Sequence, residues 1–418
     1  MAEPGSPGAV ASAPGVRSLL LPVGVTLAIQ TLVALAVYSA PVMAPVAAPR
    51  DFGVSASWIG YYIALVYLGS MLGSVSAGGL VARYGPLRVS QAGLASCLIG
   101  LALGASSSSL CVVALGAFFV GLGYGPTTPA SSQILMRATP PSLISITFSL
   151  KQTGVPLGGA IAGALVPTLI LLFGWRWAAV AIGLVCFALA IAIQPTRKRY
   201  DIDLNKSAPI SMRSAFAPLG LVFRDRRLGE MAIVSFIFGG VQITLVAYLV
   251  IFLTESFSMS LVLAGFVMAV SQVASVFGRV LWGVAADRLL SRRVMLGLLG
   301  VGMGLSALAT FWANPSWPLP LLFVFAAVFG ATAVGWNGVF LAEVARIAPP
   351  GQTSQYTGGC MFFTFMGVVV SPPLFSQALS FGGSYAGAYA LFGVPALAAG
   401  VWMLAVRRDP LPARTALP

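Results

Sequence analysis

The chain has 418 residues, 58% of them hydrophobic and only 8% charged, with a mean hydropathy of +0.94. Soluble domains carry about 25% charged residues, so a soluble enzyme or nucleic-acid-binding domain is excluded despite the net charge of +13. Histidine is absent and Cys97, Cys111, Cys186 and Cys360 lie singly inside apolar runs. No imidazole relay, metal framework or disulfide pattern is therefore expected, and no cofactor.

In chain order, residues 1–17 are rich in Ala, Gly and Pro and lack the basic start and cleavage site of a secretory leader. They read as a disordered tail. Crossing a bilayer takes about 20 apolar residues per helix, and that measure predicts twelve helices. The first six are 19–46, 57–80, 89–109, 110–136, 143–172 and 177–194; the second six are 229–253, 261–286, 293–313, 320–345, 354–379 and 385–406. They are numbered helix 1 to helix 12 below. The expected organisation is a half at 18–194, a basic linker at 195–228, a second half at 229–406 and a tail at 407–418. Of the 23 Lys and Arg, all but Arg50, Arg176, Lys151 and Arg279 fall on one side of that topology. The positive-inside rule then puts both termini and the linker in the cytoplasm. The expectation is a monomer in the inner (plasma) membrane, with the lipid bilayer as its surroundings.

The two halves repeat at an offset of 205 residues. Gly60 answers Gly265, Gly73 answers Gly278, Gly78 answers Gly283, Arg83 answers Arg288 and Arg88 answers Arg293; further on, Gly125 answers Gly330, Gly154 answers Gly359 and Pro167 answers Pro372. A constant offset through so many glycines and prolines marks an internal duplication of membrane-embedded halves.

The loop after helix 2, G-G-L-V-A-R-Y-G-P-L-R (78–88), and its partner after helix 8, G-V-A-A-D-R-L-L-S-R-R (283–293), resemble the loop signature of the major facilitator superfamily. That resemblance implies an all-α membrane fold of two pseudo-symmetric six-helix halves. It also implies that these loops latch the cytoplasmic face. Asp287 stands at the family's acidic position in the second copy, whereas the first copy has Ala82; Glu343 near the end of helix 10 has Ala138 as its mate. The candidate latch is therefore Asp287, Arg288 and Glu343, with Arg83 and Arg88 in the first half. For the arginines, simple obedience to the topology rule is the alternative.

Charges inside spans are costly and usually line a cavity. Lys151 opens helix 5 in F-S-L-K-Q-T-G-V-P-L-G-G-A-I-A-G (148–163), and Arg279 lies within helix 8. Helix 5 resembles its counterpart in monocarboxylate carriers through Phe148, Lys151, Gly158, Ala160 and Gly163, and Arg279 matches that family's helix 8 arginine. K-Q-T-G-V-P-L-G-G is also similar to oxalate/formate and cyanate-permease-like carriers. The acid those monocarboxylate carriers place a turn before the arginine is Ser275 here. The resemblance implies a small organic anion as substrate, with Lys151 and Arg279 as its cationic contacts. Tyr38, Tyr124, Gln152, Gln242, Gln272, Ser275, Asn337 and Tyr356 (the symmetry mate of Lys151) are polar groups able to complete a site or to bond helix to helix. Lys151 has the alternative of snorkelling to the interface.

Gly154/Gly158 and Gly159/Gly163 are small-xxx-small pairs suited to close helix packing. The rival reading is an exporter of drugs or other neutral compounds, although Ala117 stands where such exporters often carry an arginine. No phosphate-binding loop or catalytic dyad accompanies these features, so the chain reads as a carrier, not an enzyme.

Overall fold

The computed structural model describes residues 16–139, 144–202, 204–207, 222, 225–347 and 353–406; residues 1–15 of the predicted N-terminal tail, the C-terminal tail and the 208–221 stretch of the linker lie outside them, and Val16 and Arg17 belong to the first helix instead. Eleven helical runs among the described residues are long and apolar enough to cross a membrane. One of them, Leu150–Tyr200, is interrupted at Gly174, whose φ of 79° turns the chain where no side chain would be tolerated. It therefore contains the ends of two spans, and the total is twelve.

Helix 1 is Val16–Asp51, helix 2 is Ile59–Tyr84 and helix 3 is Pro86–Ser106. Helix 7 is Arg226–Ser256, helix 8 is Leu261–Arg288, helix 9 is Arg292–Ala309, helix 11 is Thr353–Ser380 and helix 12 is Tyr385–Ala405. Three helices expected to be continuous are each in two pieces. Helix 4 breaks between Leu110–Tyr124 and Thr127–Ala138, at Gly125-Pro126. Helix 10 breaks between Leu319–Ala333 and Asn337–Ile347. Helix 5 breaks at Thr153, between Ile144–Gln152 and Gly154–Ala192, the latter continuing past Gly174 as helix 6. Apolar periodicity cannot see such breaks, because composition stays hydrophobic through them. Inside a membrane the freed carbonyls need donors. In helix 10, Asn337 donates to the Val334 carbonyl (3.3 Å), and Trp282 of helix 8 donates to that of Ala331 (2.8 Å).

Helix 5 packs on helix 8, and helix 2 packs on helix 11. The 205-residue offset turns one seam into the other, and the duplicated residues sit at both. At one seam, a Cβ on Gly265 would collide with the Gly163 carbonyl and the ring of Pro167. At the other, a Cβ on Gly60 would collide with the Pro372 carbonyl and the Tyr248 hydroxyl. Tyr248 is buried and donates to the Pro372 carbonyl at 2.7 Å, with that of Ser57 3.1 Å away. Gln377 donates to Tyr61 nearby (3.2 Å). Both seams are thus shut on the face opposite the basic loops.

Helix 5 uses its two glycine pairs on different partners. Gly154 and Gly158 admit the helix 1 backbone near Leu27 and Thr31; Gly159 and Gly163 face helix 8 at Gln272 and Gly265.

On the basic face, the first half does contain an acid at its 2–3 loop, delivered from the linker. Asp201 accepts from the backbone N–H groups of Leu87 (2.7 Å) and Arg88 (3.2 Å), capping helix 3 at its positive end. Its side chain is 2% exposed and pairs with Arg197 at 3.3 Å. The Asn205 N–H bonds the Ala82 carbonyl (2.9 Å), and Arg137 reaches the Ile202 carbonyl (3.4 Å). The proposed latch thus changes in its parts. Arg88 bonds Gln91 (3.3 Å), Arg83 lies over the ring of Tyr84, and Arg288 is exposed. Glu343 pairs within its own helix with Arg346 (2.8 Å), while Arg293 bonds Glu230 across helices (3.1 Å). The side chain of Asp287 lies outside the described residues.

Two outcomes follow from this packing. Gly265→Val overpacks the seam and should cost the state closed on the face opposite the basic loops about 1–3 kcal/mol; cysteine labelling from that face should then increase, and unchanged labelling would show the seam to be slack. Asp201→Ala removes the helix 3 cap, worth about 0.5–2 kcal/mol, and should expose the 2–3 loop to protease several-fold faster. Digestion at the wild-type rate would show that Asp201 does not hold this loop in place.

Candidate functional site

The site begins with a proline. In an unbroken helix the Gln152 carbonyl would accept from residue 156, but Pro156 has no N–H. The Thr153 carbonyl regains its partner at Leu157 (3.0 Å), so the defect is confined to one turn. The Gln152 carbonyl instead accepts from the Arg279 guanidinium of helix 8, at 3.3 Å. Sequence spacing places Lys151 and Arg279 at similar depth; the structure gathers them around the same residue. The Lys151 ammonium donates to the Gln152 side-chain oxygen (3.3 Å) and to Thr128 of helix 4 (3.2 Å). Thr128 in turn donates to Gln30 of helix 1, at 3.3 Å.

Lys151 is 1% exposed, which rules out snorkelling in this conformation. Among the described residues neither it nor Arg279 belongs to a salt bridge. What supports the buried Lys151 and the half-buried Arg279 is partial charge. The break makes Gln152 the last residue of a helical segment, and the negative end of its dipole faces both groups. Such an end offsets a cation by about 0.3–1 kcal/mol, up to about 2 when partly buried. That is far less than the desolvation cost of a charge in low dielectric, so the dipole offsets the two cations only in part.

Three tyrosines stand beside the cations. Tyr38 of helix 1 and Tyr124 of helix 4 lie within electrostatic reach of Arg279, and the hydroxyls of Tyr38 and Tyr67 face each other. Tyr67 and Tyr124 meet edge to face, with centroids 6.0 Å apart. Deeper along helix 8, Gln272 is fully buried beside Tyr38, both closing on Gly159. Ser275 lies on the same face of helix 8 but donates to its own helix, at the Gln272 carbonyl (2.7 Å).

Not every candidate joins this cluster. Gln242 of helix 7 accepts from Asn337 (3.0 Å) and Trp336 (3.1 Å) of helix 10, a separate polar group that the structure does not link to Lys151 or Arg279 by any described bond. The side chain of Tyr356 lies outside the described residues. Conversely, Gln30, Tyr67 and Thr128 join this cluster and had only a polar residue in an apolar stretch to announce them, a signal shared with Ser131, which bonds to its own helix, and Ser70, which donates to its own helix and to the Gly121 carbonyl of helix 4. A cavity of about 250 Å³ elsewhere, bordered by Met43, Phe52, Trp58, Tyr62 and Trp175, contains no charged side chain and offers nothing to an anion.

Comparison with known proteins agrees with this architecture. The 4-hydroxybenzoate transporter PcaK of Pseudomonas aeruginosa is 31% identical over 175 residues, covering 41% of this chain and 38% of that protein. The chain thus spans well under half the length of that relative. The benzoate transport protein of Acinetobacter baylyi is 23% identical over 376 residues, with 79% of this chain and 77% of that protein aligned. Among solved structures, a D-xylose-proton symporter superposes with a TM-score of 0.71 at 14% identity, over 93% of this chain and 97% of that one. The profile of the Major Facilitator Superfamily matches residues 26–340 and 245–418; the chain is a multi-pass membrane transporter that belongs to this superfamily.

Proposed function

We propose that the protein moves a small organic anion across the cytoplasmic membrane by alternating access, with Lys151 and Arg279 as the anion site. The observation that carries this reading is the meeting of one cation from each side of the helix 5–helix 8 seam at Gln152. A carboxylate entering there neutralises charge that backbone dipoles only partly offset, and it can take a two-point fork from the guanidinium. The relatives named for benzoate, 4-hydroxybenzoate, galactarate/glucarate and sulfoacetate transport all carry acids, which supports the same substrate class. With the positive-inside orientation, the shut seams face outward and the site is approached from the cytoplasm. An anion bridging helices 5 and 8 would draw the halves together on the inner side, linking binding to the rocking motion. Gln242, Asn337 and Tyr356 on helices 7, 10 and 11 would then join as the cavity closes. In the cytoplasmic latch we assign Glu343, Asp287 and Arg288 to the second half. Asp201, Arg83 and Arg88 serve the first.

Arg279→Lys should abolish or severely reduce uptake in proteoliposomes while the protein still inserts, because lysine cannot reproduce planar recognition. Lys151→Gln should weaken anion binding about tenfold with a smaller effect on turnover. Transport by Arg279→Ala at the normal rate would give the site to neutral compounds instead.

Proton symport needs a group that changes charge in the cavity, and no described carboxylate lies among the cluster. With Lys151 kept charged throughout, we infer exchange or facilitated movement: unlabelled anion inside the vesicles should accelerate entry of labelled anion. A pH gradient alone should drive no accumulation, and accumulation under that gradient would reverse the conclusion.

A further inference from the structure

A second cavity in the first half lies towards the basic face. Its volume is about 450 Å³, and it is bordered by helices 2, 3 and 4. Helices 2 and 3 each pack along helix 4 but touch one another little, so the gap between them is floored by helix 4. Small residues keep it open: Gly73 of helix 2 and Ala92 and Gly93 of helix 3, with Leu122 and Pro126 of helix 4 behind them. Two serines also line the cleft, but their hydroxyls are spent on backbone. Ser76 donates to the Leu72 carbonyl (3.1 Å) and Ser96 to that of Phe119 (2.6 Å). The walls are therefore apolar. From Tyr84 down to Gly73 the cleft follows helix 2 for about 16 Å, half of a hydrocarbon core of about 30 Å. That is the depth of one leaflet.

The mouth has a different chemistry. Tyr84 and Arg88 border it and are exposed, and the Arg83 guanidinium lies over the Tyr84 ring, 5.6 Å from its centroid. Among the described residues neither arginine belongs to a salt bridge; the Arg88 guanidinium bonds the neutral Gln91 (3.3 Å). Asp201 lies beside them, but its carboxylate is committed to Arg197 and to the N–H groups of Leu87 and Arg88, and its side chain is 2% exposed. The other copy of this loop is built differently. Arg293, the mate of Arg88, pairs with Glu230 (3.1 Å) and lies over the Trp402 ring (5.2 Å). Its charge is met within the protein, so one site is expected and not two.

We propose that this cleft takes an acyl chain of an anionic phospholipid, with Arg83 and Arg88 holding the phosphate. An apolar slot one leaflet deep, beneath two arginines without an acid partner, matches a molecule with an anionic head and a long apolar tail. A soluble phosphate compound would not fill the slot, and a neutral lipid would not satisfy the arginines. In the positive-inside orientation this face meets the leaflet whose anionic lipids attract basic residues, and the guanidinium fork suits phosphate. The cleft shares no lining residue with the Lys151–Arg279 cluster and stands apart from the anion site.

The test is lipid titration of the purified, delipidated full-length protein in detergent, read by native mass spectrometry. The probes are dioleoylphosphatidylglycerol, dioleoylphosphatidylcholine with the same tails, and glycerophosphate with none. One phosphatidylglycerol should bind about 10- to 30-fold more tightly than phosphatidylcholine. Arg83→Gln combined with Arg88→Gln should remove that preference, whereas Arg288→Gln, at an exposed arginine of the other loop, should leave it intact. Ala92→Phe, which fills the cleft from its exposed rim, should weaken phosphatidylglycerol several-fold with both arginines in place. Equal affinity for the two lipids would overturn the proposal, as would a preference that survives the double substitution or falls equally with Arg288→Gln. Glycerophosphate binding as tightly as phosphatidylglycerol, or lipid binding indifferent to Ala92→Phe, would refute the seating of a chain in the cleft.

Discussion

A backbone carbonyl without a backbone partner lies at the centre of this molecule. Pro156 denies the Gln152 carbonyl its helical hydrogen bond, and everything in the site is arranged around the consequence. Arg279 crosses from helix 8 to satisfy it, at 3.3 Å. The same break turns Gln152 into a helix C-terminus, whose dipole partly offsets the buried Lys151 and the half-buried Arg279. A fully helical segment would leave Lys151 facing neutral groups alone and Arg279 with nothing to hold. A neighbouring acid would neutralise the charge on which the proposed anion site rests.

Glycines decide how closely the surrounding helices approach. Helix 5 presents Gly154 and Gly158 to helix 1, and Gly159 and Gly163 to helix 8. The first pair binds helix 5 into its own half, and the second lets it meet the other half backbone to backbone. Near Gly163 and Gly265 the contact is tight enough to shut the seam. About three to four turns away, at Gln152 and Arg279, the contact is made by a polar side chain. A seam that is dry and close at one end and polar at the other is suited to rocking about its length.

The duplicated halves share their seams but not their chemistry. Gly60 and Gly265, with Pro372 and Pro167, occupy equivalent places in the two interfaces. Lys151, by contrast, has Tyr356 as its mate, and Ala82 answers Asp287. The first half recovers an acid by folding Asp201 of the linker onto the helix 3 N-terminus. Packing constraints thus persist in both copies, whereas charge has been redistributed between them.

Much of this was legible in the residues alone. Twelve apolar stretches, the one-sided distribution of arginine and the 205-residue register each follow from local composition, because a bilayer demands length and apolarity from every span. Lys151 and Arg279 stood out because charge in such a span has no bland neighbours. The glycine pairs likewise announced close packing, though not with which helices. What the tertiary structure decided was partnership. The Gln152 carbonyl, the Thr128–Gln30 relay, the packing of Gln272 and Tyr38 on Gly159 and the arrival of Asp201 at a loop 114 residues away all join elements distant in sequence. Separation of Gln242 and Asn337 into their own cluster was equally hidden. A hydrogen bond is set by which faces meet and at what depth, and periodicity in one helix contains no information about the rotation of its neighbour.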